Sequence, residues 1–211
     1  MVFAESIRWL DVRWGARWTE AGLRRAGFGG EFMYWRWHAS WRGWLVLPAI
    51  MDRAMLEREA RRLAEFVAAR RSDRPDEPLH LMGYSCGGFI AVRALELLPD
   101  GVSVASAALL AAGFDPRRDL APAASRVRGK LIVCSSVLDA AIVGLGTTLF
   151  GTADRRHTPS VGAVGLTGPQ PPNVVEVPWR PALIRLGHLG GHFTAPAPRF
   201  IQHRIAPLME L

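Results

Sequence analysis

The residues with the clearest chemical meaning lie in Gly83-Tyr84-Ser85-Cys86-Gly87, a Gly-x-Ser-x-Gly pattern placed after a strand-like apolar run and before a helix-like one. A serine on a tight strand-to-helix turn has its hydroxyl pushed clear of the sheet, and small neighbours relieve the crowding. The start of the following helix then offers a backbone amide, here that of Cys86, toward a developing oxyanion. A dinucleotide-binding reading fails, because Ser85 occupies the middle-glycine place of Gly-x-Gly-x-x-Gly.

A serine hydroxyl is a weak nucleophile and needs a base, itself oriented by an acid. The apolar run 130–138 delivers a carboxylate, Asp139, just past its end and 54 residues after Ser85. Asp139 is therefore the candidate acid, although the same position suits an N-cap of a helix starting near Ala140. Asp115, Asp119 and Asp154 are weaker rivals, since no strand immediately precedes them. Two histidines, His188 and His192, lie in the glycine-flanked run 186–193. His192 is preferred as base because Gly190 and Gly191 let the backbone turn its imidazole back over the sheet edge; His188 stays in contention. His38, His80 and His203 read as structural, and His157 reads as structural or as part of a pocket wall.

The elements that must position these groups follow from apolar periodicity. Short runs rich in Val, Ile and Leu predict strands at 31–38, 78–84, 103–111, 130–136 and 173–179, alternating with stretches of helical spacing. That alternation predicts an α/β domain with a mostly parallel sheet and helices on both faces. The clearest helix covers 52–71, capped by Asp52, with Leu56, Ala60, Leu63 and Val67 on one face. A second runs from Cys86 to about Leu98, before the turn Pro99-Asp100-Gly101, and a last one covers 198–208, interrupted near Pro207. The segment 151–173 reads as a long surface loop of the kind that forms lids or walls. Seven of the eight tryptophans fall within residues 9–44, and Ile7, Leu10, Trp14 and Trp18 share a helical face that suits either a membrane interface or, as preferred here, cover for one side of the sheet.

Composition narrows the classes. A chain of 211 residues, 49% hydrophobic and 21% charged, can build one core without a disulfide or metal. No apolar run approaches the ~20 residues that span a bilayer, so no integral membrane span is expected. The formal charge of +7 comes from arginine, Lys130 being the only lysine among 26 basic residues. The arginines are scattered along the chain, which argues against a nucleic-acid partner. Cys86 and Cys134 lie in interior-type segments and are expected as free, buried thiols. Residues 1–10 lack a secretory pattern, which points to the cytoplasm unless an upstream segment exists.

Residues 80–91, 130–139 and 186–193 resemble the nucleophile elbow, acid strand and histidine loop of the α/β-hydrolase superfamily, and 144–158 resemble a segment of uncharacterised bacterial members. The resemblance covers most of the chain from about residue 31 and implies a single α/β-hydrolase-like domain over residues 1–211, its first strands degenerate or missing. It also implies a serine hydrolase acting on a small ester or related acyl substrate through Ser85, His192 and Asp139, with no cofactor or metal. A catalytically silent member that binds a small ligand or protein partner is the alternative. The family's order places a strand and an oxyanion loop before the first covering helix, next to the nucleophile strand. Only residues 1–6 remain for both here, so the expectation is a degenerate or truncated first strand, a native start upstream and an unassigned second oxyanion donor.

Overall fold

The structure, a computed structural model, describes residues 1–5, 14–35, 37 and 52–211. Six strands form one all-parallel sheet: β1 (Val2–Ala4), β2 (Met33–Trp35), β3 (His80–Tyr84), β4 (Ser106–Leu110), β5 (Leu131–Ser135) and β6 (Val174–Pro178). Their spatial order is β2-β1-β3-β4-β5-β6. Because every strand points the same way, the segments that follow β3, β5 and β6 leave the sheet at one edge. That edge receives Ser85 and Asp139, and His192 follows on the chain that leaves β6. The five strands expected from periodicity all form, each within its expected bounds, though residues 36 and 38 lie outside the described residues.

Strand β1 departs from the expectation. Its three residues sit centrally, in register with β3 at Val2–Leu81, Phe3–Met82 and Ala4–Gly83, and with β2 on the other side. Three residues are too short a run for periodicity to register, yet Val2, Phe3 and Ala4 are all buried. The place beside β3 is thus filled by a strand the sequence reading discounted.

Central strands are apolar on both faces, as a doubly covered parallel sheet demands. Alternate residues sort into two cores. Val2, Leu81, Leu109 and Val133 pack beneath α2 (Arg53–Asp73) and α3 (Cys86–Glu96), while Phe3, Met82, Leu110 and Ile132 pack beneath α1 (Trp14–Arg25) and the helical stretch 198–209. Asp52 caps α2 by accepting from the Met55 amide at 2.9 Å, and Leu56, Ala60, Leu63 and Val67 are buried as their spacing predicts. At the edge, β6 tolerates Pro178, whose missing N–H no outer neighbour requires.

Three further expectations need correction. The buried face of α1 consists of Gly15, Ala16, Thr19, Gly22 and Leu23; Trp14 does pack, half-buried, on the sheet beside Tyr84 as expected, while Trp18 is 42% exposed. Small residues face inward because α1 lies hard against the C-terminal helix: a Cβ on Gly22 would meet the Pro198 carbonyl oxygen at 2.5 Å. Residues 7 and 10, the other two of that predicted face, lie outside the described residues. The segment 151–173 is not a detached loop, because its turn Val161–Val164 buries Val161, Gly162 and Ala163 on the sheet edge. The amides of Val161 and Gly162 donate to Phe114 and Ala112, and the Gly162 carbonyl accepts from Ser136. Finally, 198–209 continues through Pro207 by widening to a π-type turn over Ile201–Ile205, which absorbs the donor that proline lacks.

Candidate active site

Ser85 sits at φ 56°, ψ −119°, a conformation that L residues rarely adopt, between the last residue of β3 and the first of α3. Its neighbours hold it there. The Ser85 amide donates to Leu110 at 2.9 Å, and its carbonyl accepts from Gly88 at 3.0 Å and Gly113 at 3.2 Å. The glycines are needed for close approach. A Cβ on Gly83 would meet the Gly87 carbonyl oxygen at 2.4 Å, and one on Gly87 would meet that of Ala4 at 2.1 Å. The start of α3 is thereby pressed against the end of β1. As the first residue of α3, Cys86 carries an amide without an intrahelical acceptor, the group an oxyanion would use. Its buried thiol is pushed up to about 12 by burial, against a hydrogen bond with Ser85, and is no rival nucleophile.

Asp139 ends the short 3-10 turn Val137–Asp139 that follows β5. Ser136 opens this turn, its hydroxyl accepting from Leu138 and its carbonyl from the Asp139 amide. The capping role considered for Asp139 is not seen: no side-chain capping bond joins it to the helical segment Ala140–Gly146. Instead its Oδ2 lies 2.7 Å from His192 Nδ1, with the two side chains only 2% and 5% exposed. Facing a carboxylate, Nδ1 carries the proton, so the neutral ring has its lone pair on Nε2, the form a general base requires.

Strand β4 lies between β3 and β5, so the strands carrying Ser85 and Asp139 are about 10 Å apart. His192 is bonded at both strand ends, to Asp139 and to Tyr84, though not to Ser85 itself. While its ring bonds Asp139, its backbone carbonyl accepts from the Tyr84 hydroxyl at 3.0 Å, and the Tyr84 and His192 rings lie 5.1 Å apart. Burial, together with the charges of Glu5 and Asp139, pushes the Tyr84 hydroxyl well above its usual range, so it remains a donor. Tyr84 was missed in the sequence; its signal is a large hydroxyl-bearing residue directly before the serine.

Gly190, Thr194 and Trp179 fix the loop carrying His192. Gly190 adopts φ +92°, and a Cβ there would meet Leu138 Cδ1 at 2.6 Å and Trp179 Cε2 at 3.1 Å. The Thr194 hydroxyl accepts from Leu189 and donates to Gly191, both at 3.0 Å. His188 belongs to this scaffold. Its Nδ1 accepts from the Gly190 amide at 3.3 Å, its carbonyl accepts from Trp179 Nε1 at 2.8 Å, and burial draws it down to about 4.

The other candidates are occupied elsewhere. Asp115 pairs with Arg117, Asp154 with Arg118, and Asp119 accepts from the Ala121 amide. His80 is held 2.8 Å from Ser106 Oγ, itself a donor to the Met209 carbonyl, which ties the chain's end to β4. His157 and His203 are exposed, and His38 lies outside the described residues. Cys86 and Cys134 are free and buried. The chain leaving β1 passes beside Gly87, where the Ala4 and Glu5 carbonyls lie. Residues 6–13 beyond it lie outside the described residues. Among the described residues, no three His, Cys, Asp or Glu side chains are grouped to hold a metal, and no helix is long and apolar enough to cross a membrane.

Comparison with protein-family models, with characterised proteins and with solved structures finds no match to this chain. The chemical reading therefore rests on geometry. A strained serine, a helix-terminal amide and a buried carboxylate–imidazole pair converge on one edge of a parallel sheet.

Proposed function

We propose that this protein is a serine hydrolase of the α/β-hydrolase type, acting on an ester or related acyl substrate. Ser85 Oγ attacks the acyl carbon as His192 Nε2 takes its proton, and the resulting oxyanion is met by the Cys86 amide. The imidazolium returns the proton to the leaving alcohol. Water, activated by the same ring, then releases the acid and regenerates Ser85. Asp139 keeps the ring in the correct tautomer and stabilises its charge.

The observation that carries this reading is the Asp139–His192 bond at 2.7 Å, made by a ring whose own backbone is tied to Tyr84, the residue before the strained serine. A histidine serving only the core has no need of a buried carboxylate partner, and a serine in an ordinary turn no need of φ 56° with ψ −119°. The β2-β1-β3-β4-β5-β6 order, with the serine after a central strand and the acid and histidine further along, also suits the α/β-hydrolase arrangement. The test is hydrolysis of short and medium p-nitrophenyl esters by the wild-type protein beside Ser85→Ala. Turnover lost in the variant supports the reading. A folded wild-type protein that cleaves none of them hands the fold to the ligand-binding alternative.

A further inference from the structure

The buried Asp139–His192 pair is flanked by side chains that face solvent. Val137 and Leu138, directly before Asp139, are 69% and 54% exposed; Leu189 and Phe193, on either side of His192, are 59% and 63% exposed. The contact of Leu138 with the Gly190 position joins the two stretches into one surface. Phe193 extends it to Trp14 at 5.8 Å between ring centroids, and Trp14 extends it to the half-exposed Trp18 at 5.4 Å. Of the eleven exposed large apolar side chains among the described residues, seven fall within 137–150 and 189–193. Single surface hydrophobes are ordinary; seven in two stretches around one site are not.

Charge sharpens the pattern. Residues 136–153 contain one charged residue, the buried Asp139, and 186–198 contain no Asp, Glu, Lys or Arg, in a chain that is 21% charged. Exposed arginines adjoin these stretches along the chain: Arg155 and Arg156 after 153, Arg185 before 186 and Arg199 after 198, with Arg17 next to Trp18; Arg156 lies 3.9 Å from Asp115. The nearby acids are engaged, Glu20 with Arg24 and Asp154 with Arg118. An uncharged apolar patch whose chain neighbours are exposed arginines, on a chain of formal charge +7, complements an anionic lipid surface, where apolar side chains enter the acyl boundary and guanidinium groups meet the phosphates. A second copy of the chain fits poorly, because it would bring the same arginines against each other.

We propose that the apolar rim around Asp139 and His192 docks on an anionic lipid surface and presents to Ser85 an acyl ester drawn from it. The substrate half of this inference rests on the hydrolase reading; the docking half does not. Wild-type protein and Ser85→Ala are sedimented with vesicles of phosphatidylglycerol and phosphatidylcholine in equal parts, and with phosphatidylcholine alone. Both proteins should bind the anionic vesicles, and the double variant Val137→Gln/Leu189→Gln should bind them about tenfold less or weaker still, with an unchanged melting temperature. Absence of binding, or binding the double variant leaves intact, overturns the proposal. So does a dimer in sedimentation velocity that the double variant dissolves, since the rim then belongs to a second copy. Vesicle binding by a wild-type protein that hydrolyses no ester upholds the docking and overturns the hydrolase reading alone.

Discussion

Asp139→Asn isolates the contribution of the acid. Asp139 Oδ2 and His192 Nδ1 are 2.7 Å apart and almost wholly shielded from water, so the carboxylate sets both the ring's tautomer and the energy of its protonated form. An asparagine of the same shape offers Nδ1 an amide donor; the ring then keeps its proton on Nε2 and cannot take one from Ser85. In a Ser–His–Asp arrangement that reversal lowers kcat by about 10⁴, equivalent to about 5 kcal/mol of transition-state stabilisation. KM should hardly move, because Asp139 lies behind the ring and away from substrate. The assay is steady-state hydrolysis of a short p-nitrophenyl ester by Asp139→Asn, His192→Ala and the double variant. Residues acting as one unit give a double variant close to the worse single one. Asp154→Asn, which disturbs only the Arg118 pair and the Asp115 amide, should stay within about threefold of wild type. If Asp139→Asn keeps more than about a tenth of kcat, or its effect multiplies with that of His192→Ala, Asp139 does not orient the base.

Further outcomes follow from the same geometry. Gly87→Ala places a methyl 2.1 Å from the Ala4 carbonyl and should cost about 3 kcal/mol or more in urea unfolding, whereas Gly29→Ala, with open space around it, should cost under about 1 kcal/mol. Ser85→Gly should abolish hydrolysis yet raise stability by about 1 kcal/mol over Ser85→Ala, since only glycine relaxes at φ 56°, ψ −119°; equal stabilities would show an unstrained turn. Tyr84→Phe removes the donor to the His192 carbonyl and should lower kcat about tenfold while costing about 1–2 kcal/mol in thermal unfolding. His80 and His188 are each held neutral, down to about 4, by burial, and for His80 also by the terminal ammonium and Arg128, whereas the unfolded chain protonates them near 6.5. The unfolded state then binds more protons between those values. Stability should therefore be full above pH 6.5 and fall toward pH 4, by up to about 3 kcal/mol per histidine. Urea midpoints across that range, with His80→Asn to remove one share of the slope, check the sign.

Where apolar periodicity was long, it located the elements well. The face of α2 and the five expected strands appear because burial on a sheet or helix face leaves a regular trace over several residues. Strand β1 left none, since three buried residues cannot display a period, although it fills the place beside β3. The inward face of α1 was obscured for another reason. Tryptophans dominate any hydrophobicity pattern, yet close packing against Pro198 and Ile201 selected Gly22 and its small neighbours. At the site, Ser85 and Asp139 were legible because turn chemistry and strand ends are local. The preference for His192 over His188 rested on the glycines before it, and Gly190 does turn the loop at φ +92°, although the carboxylate that His192 reaches lies 53 residues away. Tyr84 holds the histidine loop from 108 residues away, with only its place before Ser85 to mark it, and Trp179 holds it from 9 residues away as one apolar residue among others at a strand end.

The most direct test of the central claim is the reaction of the purified protein with a fluorophosphonate, read by intact mass and peptide mapping. The account predicts one adduct, on Ser85, formed rapidly by wild-type protein, far more slowly by His192→Ala, and absent from Ser85→Ala. Folded protein that forms no adduct, or forms it on another residue, would contradict it.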